Sequence, residues 1–375
     1  MAYSTGSLEG LDLNKLFSGV YAGKSVLVTG HTGFKGSWLC YWLTAMGARV
    51  TGLALAPDTQ PSHWELLGLT AVDDRRADIR DAQVLQRVLT EVNPEIVFHL
   101  AAQPLVRRSY RDPIETFSTN VMGLANLFEA IRVCKSVRAF VNATTDKVYS
   151  EQETLDGYRE SDPLGGHDPY STSKACAEMI SDCYRKSFFT HESGSATATR
   201  LATARAGNVI GGGDWAEDRL VPDIARAAIS GNPVPIRNPD AIRPWQHVLD
   251  PLSGYLLLGQ RLLADDEAEG AWNFGPDRDG EIAVGQLAAQ LAHDWPGVRI
   301  SRSRDAHPHE AAVLRLNCDR AKNQLSWYPV WGGAVTIRHT RDWYLAFQKT
   351  GTIQTSSDLA AYVSDAKRIG LAWAA

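Results

Sequence analysis

Long apolar runs are missing from this chain. No stretch approaches the ~20 consecutive apolar residues that a bilayer-spanning helix requires. The opening MAYSTGSLEG has neither a basic nor an apolar region, so no secretory leader and no membrane association are expected. Blocks of one charge are missing too. Lys and Arg number 38 against 43 Asp and Glu, a net charge of −5 with no basic or acidic tract, which argues against nucleic acid or an anionic membrane as partner. Cysteine is scarce. Cys40, Cys134, Cys176, Cys183 and Cys318 show no C-x-x-C spacing, so packed, reduced thiols in a cytoplasmic protein are expected. The ten histidines include no H-x-x-x-H set, and His307 and His309 fall in a charged, loop-like stretch; no metal site is expected. Internal repeats are absent.

What is present is α/β patterning. At 375 residues with 44% hydrophobic content, the chain predicts one large α/β unit plus a smaller lobe. The run Lys24-Ser25-Val26-Leu27-Val28-Thr29 ends in Gly30-x-x-Gly33-x-x-Gly36, and the amphipathic stretch Ser37 to Gly47 follows. That order reads as strand, tight turn and helix. In such a turn one glycine bends the chain, one admits phosphates and one allows close helix–strand contact. Open N–H groups and the dipole at the helix N-terminus favour an anion. The spacing departs from G-x-G-x-x-G, the usual dinucleotide fingerprint.

Further strands are predicted at Arg49 to Ala54, just before Arg76, at Glu95 to His99 and at Ala139 to Ala143. Helices are expected from Asp81 as a cap to about Leu89, from Pro113 to Lys135, and from Pro169 to Lys186. Strands alternating with helices imply a Rossmann-type doubly wound parallel sheet, with ligands outside the carboxyl ends of its strands. Four features gather at those ends: the Gly30 loop, Asp78, Ala101-Ala102-Gln103, and Thr145-Asp146-Lys147. The acid expected about 20 residues beyond the glycines, to grip a ribose, is missing. Strand two ends Leu53-Ala54-Leu55-Ala56, Asp58 is the only nearby acid, and no arginine stands there for a 2′-phosphate. NAD is the expected cofactor. The dinucleotide-binding domain is assigned to 17–207 with 243–275 returning to it, a smaller lobe for the nucleotide sugar to 208–242 and 276–349, and terminal tails to 1–16 and 350–375.

Tyr170 and Lys174 stand four apart on the predicted helix and so share a face. A tyrosine near its usual pKa of about 10 is a poor base at neutral pH, and a lysine ammonium beside it lowers that value toward use. The residues just reviewed resemble the extended short-chain dehydrogenase/reductase family, whose members act on nucleotide sugars. The likeness runs from about Phe17 to Phe347. It rests on GHTGFKGSW (Gly30 to Trp38), FHLAAQPLVR (Phe98 to Arg107), GGHDPYSTSK (Gly165 to Lys174), RAGNVIGGGDWAEDRLVPD (Arg205 to Asp223) and RPWQHVLDPLSGYL (Arg243 to Leu256).

The resemblance implies a nicotinamide cofactor held by Gly30, Thr32, Gly33, Phe34 and Gly36, by Asp78 and Ile79 flanking the adenine, and by Leu100, Ala101, Ala102, Thr119, Tyr170 and Lys174. It implies CDP-glucose as substrate, contacted by Gln103, Asn208 and Arg243, and a keto-deoxysugar product. Loss of water across C5 and C6 of a hexose needs C4 as a ketone, a base for the C5 proton and an acid for the departing C6 hydroxyl. Asp146 and Lys147 supply an acid–base pair of that type. Related dTDP-glucose dehydratases have Asp-Glu there, and Asp-Lys matches the CDP-glucose branch. Thr145, where the family usually has Ser, would hydrogen-bond the C4 oxygen and Tyr170 would deprotonate it; Val148 replaces a usual Cys. Gly211-Gly212-Gly213 reads either as a backbone approach to the ligand or as a flexible turn, and Trp245 and His247 as packing residues.

Three readings stay open. One is a 4,6-dehydratase for a CDP-, dTDP- or GDP-sugar. Another is an epimerase, which needs Tyr170 and Lys174 but no Asp-Lys pair. The last is a non-catalytic dinucleotide sensor, which an intact Tyr170 and Lys174 argue against. Met122, Leu124 and Phe128 on one helix, with Cys176, Met179 and Ile180 on another, exceed what the sheet buries. A homodimer pairing these helices as a four-helix bundle is expected, as the family resemblance also implies.

Overall fold

The structure is a computed structural model that describes residues 10–152, 156–189, 199–264, 267–302 and 313–375. His307 and His309 lie outside the described residues. The first five strands are β1 (Ser25–Thr29), β2 (Arg49–Ala54), β3 (Asp73–Arg76), β4 (Ile96–His99) and β5 (Ala139–Ala143). They are followed by β6 (Arg200–Ala206), β7 (Asn208–Ile210), β8 (Pro233–Ile236), β9 (Ile242–His247), β10 (Gly270–Phe274), β11 (Glu281–Ala283) and β12 (Arg299–Arg302). Seven strands form one sheet in the order β10-β6-β5-β4-β1-β2-β3, every pair parallel. All residues of β1, β4 and β5 are buried, as strands covered on both faces must be. The order reverses between β1 and β4, where a doubly wound sheet opens its crevice.

The helices are α1 (Phe34–Ala45), α2 (His63–Leu67), α3 (Ala82–Val92), α4 (Val106–Arg111), α5 (Pro113–Phe117), α6 (Gly123–Val133) and α7 (Pro169–Ser187). Then come α8 (Leu220–Ser230), α9 (Leu249–Leu263), α10 (Val284–His293), α11 (Gly333–Thr350) and α12 (Thr355–Arg368). One core gathers Trp38, Trp42 and Leu256 from α1 and α9 against one side of the sheet. The other gathers Leu85, Leu124, Phe128 and Leu201 from α3, α6 and β6. The three-stranded sheet β11-β9-β7 and the pair β12-β8 complete the order of strands beyond the main sheet.

Two expectations differ from the structure. The helix predicted from Pro113 to Lys135 runs on from Pro113 through a π-helical segment, Ser118–Met122, and stops at Val133 before an extended Cys134. Just past that segment a Cβ on Gly123 would lie 2.7 Å from Ile79 Cδ1, so the helix approaches the β3 loop there without a side chain between. The segment after Lys349, expected as a tail, is core. Leu359, Tyr362, Val363 and Ala366 of α12 are fully buried. Trp42 meets Tyr362 at 5.8 Å, and Trp373 stacks on Phe17 at 5.0 Å. Leu13 and Leu16, also placed in a tail, are buried beside them. A single i, i+3, i+4, i+7 stripe among polar residues is enough to seat a helix.

Candidate active site

The turn after β1 shows which glycines the backbone requires. Gly30 has φ +74°, and a Cβ there would lie 2.6 Å from the Ala101 nitrogen. A Cβ on Gly36 would lie 2.2 Å from the Gly30 carbonyl oxygen. Gly33 differs: it is exposed, and its Cβ would meet only Gly30 O, at 3.4 Å. The first and third glycines therefore let β1, β4 and α1 touch, while the second faces open space. Gly33 also begins α1 without any side-chain cap, so the first-turn N–H groups are left to a ligand. Behind the loop, His31 Nε2 lies 2.9 Å from Asp74 Oδ1, and burial lowers its pKa against the pull of that carboxylate. Thr32 donates to the Leu55 carbonyl at 3.0 Å.

The loop opens on a cleft of about 1190 Å³ along the carboxyl edge of the sheet. That exceeds the roughly 300–1,000 Å³ of single-ligand pockets, leaving room for two ligands. Gly30, Thr32, Gly33, Phe34 and Gly36 line it, as do Asp78, Ile79, Leu100, Ala101, Ala102 and Thr119. Thr145, Lys147, Tyr170 and Lys174 line it as well, with Gln103, Asn208 and Arg243. Asp146 alone among the expected site residues lies behind the wall, 1% exposed.

At the end near β2 two arginines arrive that spacing along strand two did not reveal. Arg80 and Arg108 both line the cleft. Each brings an acid: Arg80 holds Asp78 at 2.6 Å, and Arg108 holds Glu115 at 2.7 Å and Asp58 at 3.6 Å. The Arg80 hydrogen bonds hold the Asp78 carboxyl below its ordinary pKa. Gln103 uses its side chain within its own loop, donating to Thr116 Oγ1 at 2.9 Å and accepting from the Leu105 nitrogen at 2.7 Å. Asn208 Oδ1, by contrast, is buried without a partner. Arg243 is buried and donates to the Ile242 carbonyl at 2.9 Å.

Beyond β5 the chain bends at Thr145, whose hydroxyl caps the turn Asp146–Val148. Asp146 Oδ1 accepts from Thr145 Oγ1 at 3.0 Å and from Lys147 Nζ at 3.1 Å, and Asp146 Oδ2 has no partner. α7 starts with Pro169 in its first turn and Asp168 as cap, its carboxylate accepting from the Ser171 nitrogen at 2.9 Å. This start sets Tyr170 and Lys174 on the cleft. Burial pushes the Tyr170 phenol up to about 12, opposed by a hydrogen bond from Thr145 and by the Arg219 guanidinium. Lys174 donates to the Ala143 carbonyl at 3.0 Å, and burial lowers it to about 8.

Two further cleft residues were not singled out from sequence. Arg219, at the N-terminus of α8, is held by Asp214 at 2.9 Å. Lys35, inside the glycine turn, donates to the Tyr255 hydroxyl of α9 at 3.3 Å. Both sit within the quoted motifs, but neither has a spacing partner that would single it out. The triple glycine is packed: a Cβ on Gly212 would overlap the Trp343 ring at 1.9 Å, and Trp38 Nε1 donates to the Gly212 carbonyl at 2.9 Å. His247 is buried with its ring 4.7 Å from that of Trp331, and Trp245 donates to the Ile282 carbonyl at 3.1 Å. No group of three or more His, Cys, Asp or Glu is placed for a metal ion among the described residues.

Comparison with known proteins adds four findings. Residues 27–340 match the family described as GDP-mannose 4,6 dehydratase. A CDP-glucose 4,6-dehydratase of Salmonella typhimurium is 49% identical over 87% of this chain and 92% of its own length. The UDP-glucose 4-epimerase of Thermus thermophilus, solved as a complex with NAD, superposes with a TM-score of 0.72 at 27% identity, covering 85% of this chain and 98% of that one. A dTDP-glucose 4,6-dehydratase of Bacillus anthracis shares the fold with a TM-score of 0.69 at 21% identity, over 87% and 97% of the two chains.

Proposed function

The chain belongs to the GDP-mannose 4,6 dehydratase family, and from that premise we propose that it dehydrates CDP-glucose to CDP-4-dehydro-6-deoxy-D-glucose with NAD as its resident cofactor. The observation that carries this reading is the Asp146–Lys147 pair, bonded at 3.1 Å beside the Thr145 hydroxyl and the Tyr170 phenol. An epimerase has no use for a second acid and base. An elimination needs both.

The uncapped start of α1 and the bare Gly33 fit a pyrophosphate, and Asp78, Ile79 and Thr119 line the same cleft. When bound, the nicotinamide supplies an acceptor for the C4 hydride and its return to C6. The chain's own residues handle the protons. Tyr170, in the phenolate form that Thr145 and Arg219 favour against burial, takes the proton of the C4 hydroxyl and becomes the neutral phenol, and Thr145 hydrogen-bonds the C4 oxygen. The remaining pair works on C5 and C6. One proton passed from Lys147 Nζ to Asp146 Oδ1 along their hydrogen bond leaves a neutral amine and a neutral acid, with total charge unchanged. Lys147 then removes the C5 proton, and Asp146 gives its proton to the departing C6 hydroxyl, which leaves as water. Asn208, with its free Oδ1, and Arg243 face the nucleotide sugar; a guanidinium's planar fork suits diphosphate oxygens.

The enzyme works as a homodimer through α5–α6 and α7, supported by the exposed Ile114, Met122 and Met179 on those helices, whereas Leu124 and Phe128, expected at this face, are buried in the core against the sheet and α3. A cytoplasmic setting agrees with five cysteines that are all unpaired. Incubation of the enzyme with NAD and CDP-glucose tests the function. A product lighter by one water and carrying a ketone is expected. A C4 epimer of unchanged mass would assign the epimerase reading, and faster turnover of dTDP-glucose would move the base specificity.

A further inference from the structure

Lys35 shares with Lys174 the lack of a bonded carboxylate among the described residues, but Lys174 donates to the Ala143 carbonyl whereas Lys35 meets a phenol hydroxyl. It sits in the first turn of α1 and lines the cleft, and its ammonium reaches the Tyr255 hydroxyl at 3.3 Å, with the Tyr255 ring centroid 5.7 Å away. Among the described residues, no carboxylate lies within ion-pair distance of it. Arg219, by comparison, has Asp214 at 2.9 Å, Arg80 has Asp78 at 2.6 Å, and Lys147 has Asp146 at 3.1 Å. The charged groups that face Lys35 are Lys174 from α7, Arg219 from the start of α8, and Asp146 and Lys147 from the turn after β5. Three cations thus surround it against one carboxylate, and that carboxylate already accepts from Lys147 and Thr145. Burial and this company lower the Lys35 ammonium to about 7.

An amine so placed is a poor structural element. A methionine would fill the same gap, and a structural lysine would have been given an acid, because an unpaired buried charge is costly. The missing counter-charge has a natural source. The Lys35 side chain leaves the same helical turn whose N–H groups and dipole attract an anion, and the cleft holds room for two ligands.

On the reading that those ligands are a dinucleotide and a nucleotide sugar, we propose that Lys35 is a further binding residue of the cleft. Their diphosphates complete its environment, so it takes up a proton as they bind and thereafter faces them as an ammonium.

The test is calorimetric titration of the full chain with NAD, and of the NAD-loaded chain with CDP, in buffers of different ionisation enthalpy. Between half and one proton per chain should be taken up at pH 8 and close to none at pH 6, where Lys35 is already charged. Lys35→Arg, charged throughout, should lose the pH 8 uptake while keeping affinity within about threefold. Lys35→Met should lose the uptake and weaken binding about tenfold or more, the effect of one charge-assisted contact. Circular dichroism checks that each variant is folded. Uptake that persists in both variants would overturn the proposal by assigning the proton to another group, Lys174 first. Wild-type affinity in Lys35→Met would overturn it too. Failure of the wild type to bind either NAD or CDP would remove the functional reading and this inference together.

Discussion

Lys147 Nζ lies 3.1 Å from Asp146 Oδ1, although the two residues are neighbours in sequence. Along a strand, adjacent side chains point to opposite faces. They meet here because β5 ends at Ala143 and the chain bends into a single 3₁₀ turn at Asp146–Val148, with the Thr145 hydroxyl as its cap. The bend leaves Lys147 on the cleft and Asp146 just behind it. An acid and a base therefore share one hydrogen bond, and the carboxylate's free oxygen remains for a further partner.

Arg219 acts on Tyr170 from outside the helix that carries the tyrosine. Its guanidinium and the Thr145 hydrogen bond oppose the burial that pushes Tyr170 up to about 12, while Lys174 is bonded to the Ala143 carbonyl. Arg219→Met should raise Tyr170 further and lower kcat at pH 7 about tenfold, since one pKa unit corresponds to a factor of ten. The pH–rate profile should move to the alkaline side, with partial recovery in Arg219→Lys. An unmoved profile would return the role to Lys174.

The glycines separate folding from binding. A Cβ on Gly36 meets backbone that has no freedom to yield, so Gly36→Ala should destabilise the protein by about 1–3 kcal/mol, as overpacking does. The Gly33 Cβ meets one atom, at ordinary contact distance. Gly33→Ala should unfold with nearly the wild-type midpoint in urea yet bind NAD about tenfold more weakly. Urea unfolding curves and a dinucleotide titration on both variants check the distinction.

These residues show how far the sequence was legible. The glycine turn, the face shared by Tyr170 and Lys174, and the strand ends all follow from local spacing, because each depends on atoms within a few residues. Lys35 and Arg219 were hidden because their meaning depends on what is absent or distant: a missing acid for one, and a tyrosine 49 positions away (Tyr170 to Arg219) for the other. Gln103 stood in the right motif, but its amide closes its own loop. The core role of α12 and of Trp373 beyond it was hidden for a related reason, since their partners Trp42 and Phe17 lie at the opposite end of the chain.

Buried histidines should govern acid stability. His63, bonded to Ser37 and Thr355 at 2.8 Å each, and His99 are both lowered to about 3 by burial. The folded protein then binds fewer protons than the unfolded chain below about 6.5, so stability falls as pH drops from about 6.5 toward 3, by up to about 1.4 kcal/mol per pH unit for each. Asp250, raised to about 7 by burial, works in the other direction, its contribution being lost as pH rises from about 4 to 7. Urea unfolding between pH 7 and pH 4.5 should show the acid loss, and His63→Gln should make it shallower. An unchanged slope in that variant would remove His63 as a cause.

The dimer reading is tested on its surface. Met122 and Met179 are 56% and 61% exposed on neighbouring helices, so Met122→Glu with Met179→Glu should give a monomer by light scattering at micromolar concentration. A wild type that is already monomeric there would remove the four-helix arrangement.

The half-reactions of the dehydration should come apart at the β5 turn. If Tyr170 accepts the C4 proton, oxidation does not need Lys147, whereas removal of the C5 proton does. Lys147→Ala mixed with CDP-glucose should still develop the absorbance of reduced dinucleotide, yet exchange the C5 hydrogen with solvent about 10²–10⁴-fold more slowly, the usual loss when a positioned acid–base group is removed. Asp146→Asn should permit oxidation and some C5 exchange but stall expulsion of the C6 hydroxyl, because nothing protonates it. Tyr170→Phe should develop no reduced dinucleotide at all. Wild-type C5 exchange in Lys147→Ala would show that Lys147 is not the base, and the 3.1 Å contact with Asp146 would then be an ion pair that holds the turn in place.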